Sequence, residues 1–149
     1  MRKAVRVIVV KNNALLVMHR NKFGHEFYAL VGGGIDVGES QEQALYREVS
    51  EETGLHINNP KLVIVEDAGD MYGVQYIYTA DYVAGDPALA VNSPEAMIHA
   101  SGKNLYTPMW LPLDQLPDVT FMPPELKELL LKHTSGGWPV DPIEIVIGS

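Results

Sequence analysis

Between Ala4 and Val10 the chain is dominated by β-branched residues, Asn12-Asn13 carries a turn signal, and Ala14 to His19 is a second apolar run. Together they predict a β-hairpin. Phe27 to Val31 reads as a short strand leading into three glycines, Gly32 to Gly34. The period then changes. From Gln41 to Thr53, Leu45 and Val49 stand four apart as an apolar stripe, the spacing of a helix with one buried side. Lys61 to Glu66 and Val74 to Tyr82 read as further strands, with Ala68-Gly69-Asp70 as the turn between them. Asp86 to Pro94 is loop-like, Trp110 to Leu116 opens a last strand and turn, a helix is predicted over Pro124 to His133, and Ile143 to Ile147 fits a terminal strand. Strands of mixed order with two separated helices predict an α/β sandwich, a mixed sheet between helices.

The helix over Gln41–Thr53 has signals at both ends. Ser40 is an N-cap candidate, and Gln43 three residues later completes a capping box, with Glu39 and Glu42 near the positive end of the helix dipole. Gly54 is the expected C-terminal glycine, and Leu55 returns to the core. Farther on, Tyr76, Tyr78 and Tyr82 share strand parity and point to one face, where packing is the ordinary role of such residues.

With 149 residues and no internal repeat or linker, the sequence fits one domain over residues 1–149. It contains no cysteine, which removes disulfides, a thiolate nucleophile and cysteine-bound zinc, and fits a reducing cytoplasm. The start, MRKAVRVIVVKNN, is interrupted by Lys11-Asn12-Asn13 before it reaches signal-peptide length, and no stretch is long enough to cross a bilayer. A soluble, unprocessed cytoplasmic protein is expected. Eleven basic against nineteen acidic side chains give a net charge of −8, which argues against gripping a nucleic-acid polymer through many phosphates. A small phosphorylated ligand is compatible with that charge, and a homodimer is the candidate assembly.

The chemistry is concentrated in GGIDVGESQEQALYREVSEETGL, where Glu39, Glu48, Glu51 and Glu52 accumulate with one arginine, Arg47. On a helix Glu48 and Glu52 stand one turn apart on the same face, with Glu51 at its edge. A charge run of this kind usually means a solvated face. Carboxylates held so close repel one another, and sharing hard divalent cations relieves the repulsion; oxygen ligands suit Mg²⁺, or Mn²⁺ in its place, better than zinc. Glu39 has two readings, helix-dipole partner or site acid. Arg47 can pair with Glu39 or Glu51 and hold the carboxylates in place. The glycine run can bend tightly and bring a main-chain carbonyl toward a metal. A phosphorylated ligand would be repelled by these acids unless cations were bound first, so a metal is expected to be obligatory.

The same residues resemble a known signature. The pattern G-x5-E-x7-R-E-U-x-E-E-x-G-U, with U a bulky aliphatic, is that of the Nudix hydrolases, and it is met at Gly33, Glu39, Arg47, Glu48, Val49, Glu51, Glu52, Gly54 and Leu55. The flanks depart from it slightly: Val31 stands where many members have proline, and Asp36 where many have glutamate. The resemblance is strict over this box and loose elsewhere, with WLPLDQL similar to a late segment of such domains. It implies an α/β/α sandwich and a Mg²⁺-dependent pyrophosphohydrolase acting on a nucleoside diphosphate derivative. It further implies that Glu48 and Glu52 are metal ligands, that Glu51 serves a second cation, and that the carbonyl near Gly32 joins them.

The general base differs between members of that family; Glu51 and Glu95, in a Ser93-Pro94-Glu95 loop, are the candidates, with His99 nearby. Arg20, with Lys22 and His25, is placed to meet phosphate, and Tyr72 lies at a spacing similar to that in members that cut dinucleoside polyphosphates. The proline that marks many ADP-ribose hydrolases is missing. Two other classes compete: a nucleotide-binding or regulatory module that lost turnover, against which the intact acids weigh, and a Nudix-like isomerase, which relies on a cysteine absent here.

Overall fold

The computed structural model describes residues 2–89, 94–99 and 102–147. Its elements are β1 (Lys3–Ile8), β2 (Val10–Lys11), β3 (Ala14–Lys22), β4 (His25–Ala29), β5 (Val31–Gly34), α1 (Gln41–Thr53), β6 (His56–Asp67), α2 (Gly69–Tyr72), β7 (Val74–Ala84), α3 (Pro94–His99), β8 (Asn104–Pro112), a 3₁₀ helix over Leu113–Asp118, α4 (Pro124–Gly136) and β9 (Ile143–Val146). One sheet has the order β5-β1-β7-β6-β9. It is mixed: β1 runs parallel to β7 and antiparallel to β5, and β6 runs antiparallel to β7 and parallel to β9. In the second sheet β3 pairs with β2 and β4, and with β8.

Alternation along β1 explains the layers. Val5 and Val7 join Leu45 and Val49 of α1, while Ile8 joins Leu126 and Leu130 of α4, so each face of the mixed sheet has its own helix and its own apolar cluster. This is the α/β arrangement read from the sequence. Tyr78 is buried in the cluster beneath α1, with Tyr76 and Tyr82 packed against it, so the shared parity of these tyrosines serves packing. Among the described residues no helix is long and apolar enough to cross a membrane.

The first hairpin is divided differently from the expectation. Only Val10-Lys11 turns back on Ala14-Leu15, through Asn12 and Asn13 at φ +51° and +60°. Such angles suit a tight two-residue turn. Lys3–Ile8 instead inserts between β5 and β7 in the other sheet. A β-branched run buried on both faces is a central strand rather than one arm of a ribbon.

The glycine run is also corrected: Gly32, Gly33 and Gly34 are not a turn but the end of β5, paired with Arg6, Val5 and Ala4. A Cβ on Gly32 would lie 1.9 Å from the Val5 carbonyl oxygen, so only glycine lets the two backbones approach this closely. The bend comes later, at Gly38 (φ +85°).

Helix α1 begins and ends where the sequence signals place it. The Ser40 hydroxyl accepts from the Gln43 N–H at 3.1 Å, the Gln43 side chain accepts from the Ser40 N–H at 2.9 Å, and Gly54 closes the helix in the left-handed conformation. Strand β8 starts at Asn104, ahead of the expected Trp110. Pro108 hides the strand in the sequence, and it is tolerated because, among the described residues, β8 pairs on one edge only, with β3. The predicted Ala68-Gly69-Asp70 turn is part of α2, and α4 continues past His133 to Gly136. Residues 90–93 of the expected loop, Ser93 included, lie outside the described residues. Pro94 and Glu95, read as loop, begin the short helix α3.

Candidate functional site

Helix α1 turns its apolar side to the sheet through Ala44, Leu45 and Val49, which leaves Glu48 and Glu52 at the margin against β5. Both are largely buried, at 7% and 4% exposure. Glu95 reaches the same point from α3, and one oxygen of each of Glu48, Glu52 and Glu95 lies within 4.8 Å of the others. Gly33 makes the room. A Cβ on it would sit 2.5–2.6 Å from the Glu48 carboxylate, while its backbone lies outside the positive-φ region. Gly33→Ala is therefore expected to leave the fold intact but displace Glu48. Mn²⁺ affinity, measured by electron paramagnetic resonance, should fall about tenfold or more, as for groups that orient metal ligands. An unchanged affinity would show that the Glu48 position is unimportant.

Burial and crowding raise the cost of ionising Glu48 and Glu52. Burial pushes the Glu52 carboxyl up to about 8; Arg6 opposes the shift, and Glu95 and Glu48 add to it. Burial likewise raises Glu48, against the lowering influence of Arg47. The Glu52 Oε2 accepts from the Gly32 N–H at 3.0 Å. The Glu95 Oε2 is buried without a hydrogen-bond partner among the protein groups. An orphaned carboxylate oxygen beside two crowded acids is a donor set that fits a hard cation such as Mg²⁺ or Mn²⁺.

Arg47 organises the outer side. Its Nε donates to Glu39 Oε2 at 2.7 Å, its Nη2 to Glu39 Oε1 and the Gly34 carbonyl at 2.9 Å each, and its Nη1 to Glu48 Oε1 at 2.9 Å. The guanidinium thereby ties the loop before α1 to the helix. The hydrogen bond from Arg47, and after it the one from the Asp36 N–H, hold the Glu39 carboxyl down at about 2. Glu39, read as helix-dipole partner or site acid, is paired with Arg47 ahead of α1 and stands outside the three-acid group. Glu51 stands outside the three-acid group, turned toward Arg47 at 3.4 Å.

The other site candidates are dispersed. Arg20 on β3 lies over the Tyr106 ring, 3.7 Å from its centroid, and donates to Asn104 Oδ1 at 2.6 Å. It shares parity with Leu16 and Met18, on the side of the sheet that belongs to the α1 cluster. Tyr72 is exposed at the end of α2, outside the carboxylate group. The Gly32 carbonyl, expected to face a metal, accepts from Arg6 Nη1 at 3.2 Å, which takes one of its two lone pairs. His99 accepts the Tyr106 N–H on its Nδ1 at 3.0 Å, which joins α3 to β8.

Arg6 itself was missed by sequence reasoning. Its signal was present: a lone cation inside AVRVIVV, where a central strand offers no water. Glu66, 4% exposed at the end of β6 with its Oε1 unpartnered, is a second buried charge that was passed over.

Comparisons with known proteins agree with this arrangement. The chain is 30% identical over 80 residues to the NAD-capped RNA hydrolase NudC of Edwardsiella ictaluri, covering 54% of this chain and 31% of that protein. It is 28% identical over 113 residues to the NudC of Pectobacterium atrosepticum, covering 76% of this chain and 39% of that protein. The chain thus spans well under half the length of these relatives. Among solved structures, a MutT NUDIX hydrolase from Burkholderia pseudomallei superposes with a TM-score of 0.65 at 23% identity, over 85% of this chain and 94% of that one, a likeness of fold. The model of the NUDIX domain matches residues 1–132, a span that includes the signature and the three acids, and the chain belongs to that family.

Proposed function

We propose that this protein is a Mg²⁺-dependent hydrolase, with Mn²⁺ able to substitute, that cleaves a phosphoanhydride bond of a nucleoside diphosphate derivative. The observation that carries the reading is the group of buried Glu48 and Glu52 with half-buried Glu95, mutually repelling and left with an unpartnered oxygen on Glu95. Glu48 and Glu52 would hold the cation, and Glu51, at the rim, would serve a second one or its waters. A cation bound here supplies Lewis acidity, charge neutralisation and a more acidic water. The Gly32 carbonyl, which accepts one bond from Arg6, would offer its second lone pair to the cation.

The chain's own groups do the rest. Arg47 keeps Glu48 aimed by its Nη1 bond while Glu39 anchors the other end of the guanidinium. Of the two general-base candidates, Glu51 is turned to Arg47, whereas Glu95 has the free Oε2. Glu95 is therefore the better-placed acceptor for a proton of the attacking water. Arg20, flat on Tyr106, offers a guanidinium to a phosphate, and exposed Tyr72 offers a ring to the leaving part of the substrate.

The deciding experiment is release of phosphate or nucleoside monophosphate from a panel of nucleotides with Mg²⁺, Mn²⁺ or EDTA. Since relatives carry the name NAD-capped RNA hydrolase, the panel includes NAD⁺ and NAD-capped RNA beside ADP-ribose and dinucleoside polyphosphates. The expected result is metal-dependent cleavage of a free dinucleotide, abolished by EDTA, with no advantage for the RNA-linked form because the chain has a net charge of −8. Tight binding of one compound with no cleavage of any would sink the hydrolase and favour a binding module.

A further inference from the structure

Behind the edge strand lies a polar arrangement that the hydrolase chemistry leaves unused. Arg6 stands opposite Gly32 in the β1–β5 pairing and has the parity of Ile8, so it projects to the α4 face, away from helix α1. A guanidinium inside a sheet is tolerated only when its donors are met. Its Nε donates to Gln75 Oε1 at 3.2 Å, and its Nη1 donates to the carbonyls of Leu30 at 3.4 Å and Gly32 at 3.2 Å. Gln75, 5% exposed, is fixed in turn by donating to the Tyr72 carbonyl at 2.9 Å. Arg6 thus straps β7 to β5 across its own strand.

The backbone it grips is the backbone that touches the site. Gly32 offers its carbonyl to Arg6 and its N–H to Glu52. With no side chain, Gly32 depends on its strand pairing and on the groups that meet its carbonyl and N–H to set the direction of that N–H.

We propose that Arg6 is a positioning residue for the carboxylate site, an inference that rests on the hydrolase reading. Its fork holds the Gly32 segment in the orientation in which the N–H meets Glu52, and so fixes Glu52 beside Glu48 and Glu95. Arg6 acts through Gly32 and does not touch the reacting atoms. A lysine cannot reproduce the hold, because one ammonium on a flexible stem cannot span acceptors on β5 and β7 together.

Charge has to be separated from geometry. Arg6 lies within the electrostatic reach of Glu52, Glu48 and Glu66, with Arg2 as a like-charged neighbour. A neutral replacement would remove a charge that repels bound cations while also loosening their ligands, and the two effects oppose each other. Arg6→Lys keeps the charge and loses the fork.

In Arg6→Lys, Mn²⁺ affinity measured by electron paramagnetic resonance without substrate is expected to fall about tenfold, and kcat by a similar factor, the scale seen when groups behind metal ligands are removed. KM should stay within about twofold, since substrate contacts are untouched. In the metal-free protein the Gly32 amide proton resonance should move upfield as its bond to Glu52 lengthens. Gln75→Leu removes the far anchor, together with the bond that fixes Gln75 to the Tyr72 carbonyl; it should shift both readouts the same way by about threefold in affinity, and add little to Arg6→Lys, because both act through one strap.

An Arg6→Lys protein that keeps its Mn²⁺ affinity and its Gly32 resonance overturns the proposal, even if its thermal midpoint drops. Should that variant fail to fold, the same two readouts in Gln75→Leu decide, and no change there overturns it equally. The Gly32 resonance needs neither metal nor substrate. A parent protein that hydrolyses nothing would therefore end the hydrolase reading while the strap is still judged on its own measurement.

Discussion

Glu52→Gln is expected to lower kcat by at least about a hundredfold while making the metal-free protein more stable at pH 8. The first effect follows from charge. A cation at this site is worth several kcal/mol of transition-state stabilisation, and each ~1.4 kcal/mol lost is a factor of ten in rate. The amide keeps an oxygen for the Gly32 N–H that Glu52 now accepts at 3.0 Å, so the local backbone has no reason to move. The second effect has the opposite sign because Glu52 is 4% exposed and crowded by Glu48 and Glu95. Removing a buried charge that Arg6 and the Gly32 N–H offset only in part should raise the midpoint in EDTA by about 5 °C for a domain of this size. Activity within tenfold of the parent would refute the ligand role of Glu52, and a lower midpoint in EDTA would refute the picture of a strained acid.

The second large effect is a stability profile that metal reverses. Glu52 has its carboxyl pushed up to about 8, and Glu66 has its own pushed up to about 7 by burial, opposed by Arg6 and assisted by Glu125. Both start from an ordinary value of 4.5. For an acid whose folded pKa is raised, the unfolded chain releases its proton first. The folded state is unpenalised below about 4.5, loses stability as pH rises, and reaches the full penalty above the folded value.

The two groups together should cost on the order of a few kcal/mol by pH 8 in the absence of metal. Glu39, held down at about 2, acts the other way: its contribution is present above 4.5 and is lost as pH falls toward 2. The metal-free protein should therefore have its highest thermal midpoint near pH 4.5 to 5 and a falling one up to pH 8. A divalent cation binds the ionised acids and stabilises the fold by mass action, more at pH 8 than at pH 5. Calorimetry across that range in EDTA and in Mg²⁺ checks both halves. A midpoint that is flat or rises from pH 5 to 8 in EDTA contradicts the burial argument, and equal Mg²⁺ stabilisation at both pH values contradicts the cation site.

How much of this was readable in advance depends on the range of the interactions involved. Helix α1 was legible to the residue, Gln41 to Thr53, because its determinants are local: Ser40 and Gln43 cap each other three residues apart, and Gly54 ends it by its own backbone freedom. The box acids were legible for the same reason, since helical spacing alone puts Glu48 and Glu52 on one face.

Strand partners were less legible. Nothing within Ala4–Val10 states that its first part pairs with β5 and β7 while only Val10-Lys11 continues into the hairpin. The glycines looked like a turn because glycine permits one, yet here its missing side chain serves close strand approach at Gly32 and room for Glu48 at Gly33.

The sequence by itself determined the acid-bearing helix, its caps, the spacing of its acids and the class of fold. These follow from contacts between residues a few positions apart, which periodicity and capping chemistry report directly. Only the tertiary structure decided that Glu95, more than forty positions beyond Glu52, completes the acid group, that Glu51 turns outward to Arg47, and that Arg6 reaches the site from the reverse face of the sheet. Those outcomes depend on which strands become neighbours and on how deeply each charge is buried, and both are properties of the packed molecule rather than of any local stretch of chain.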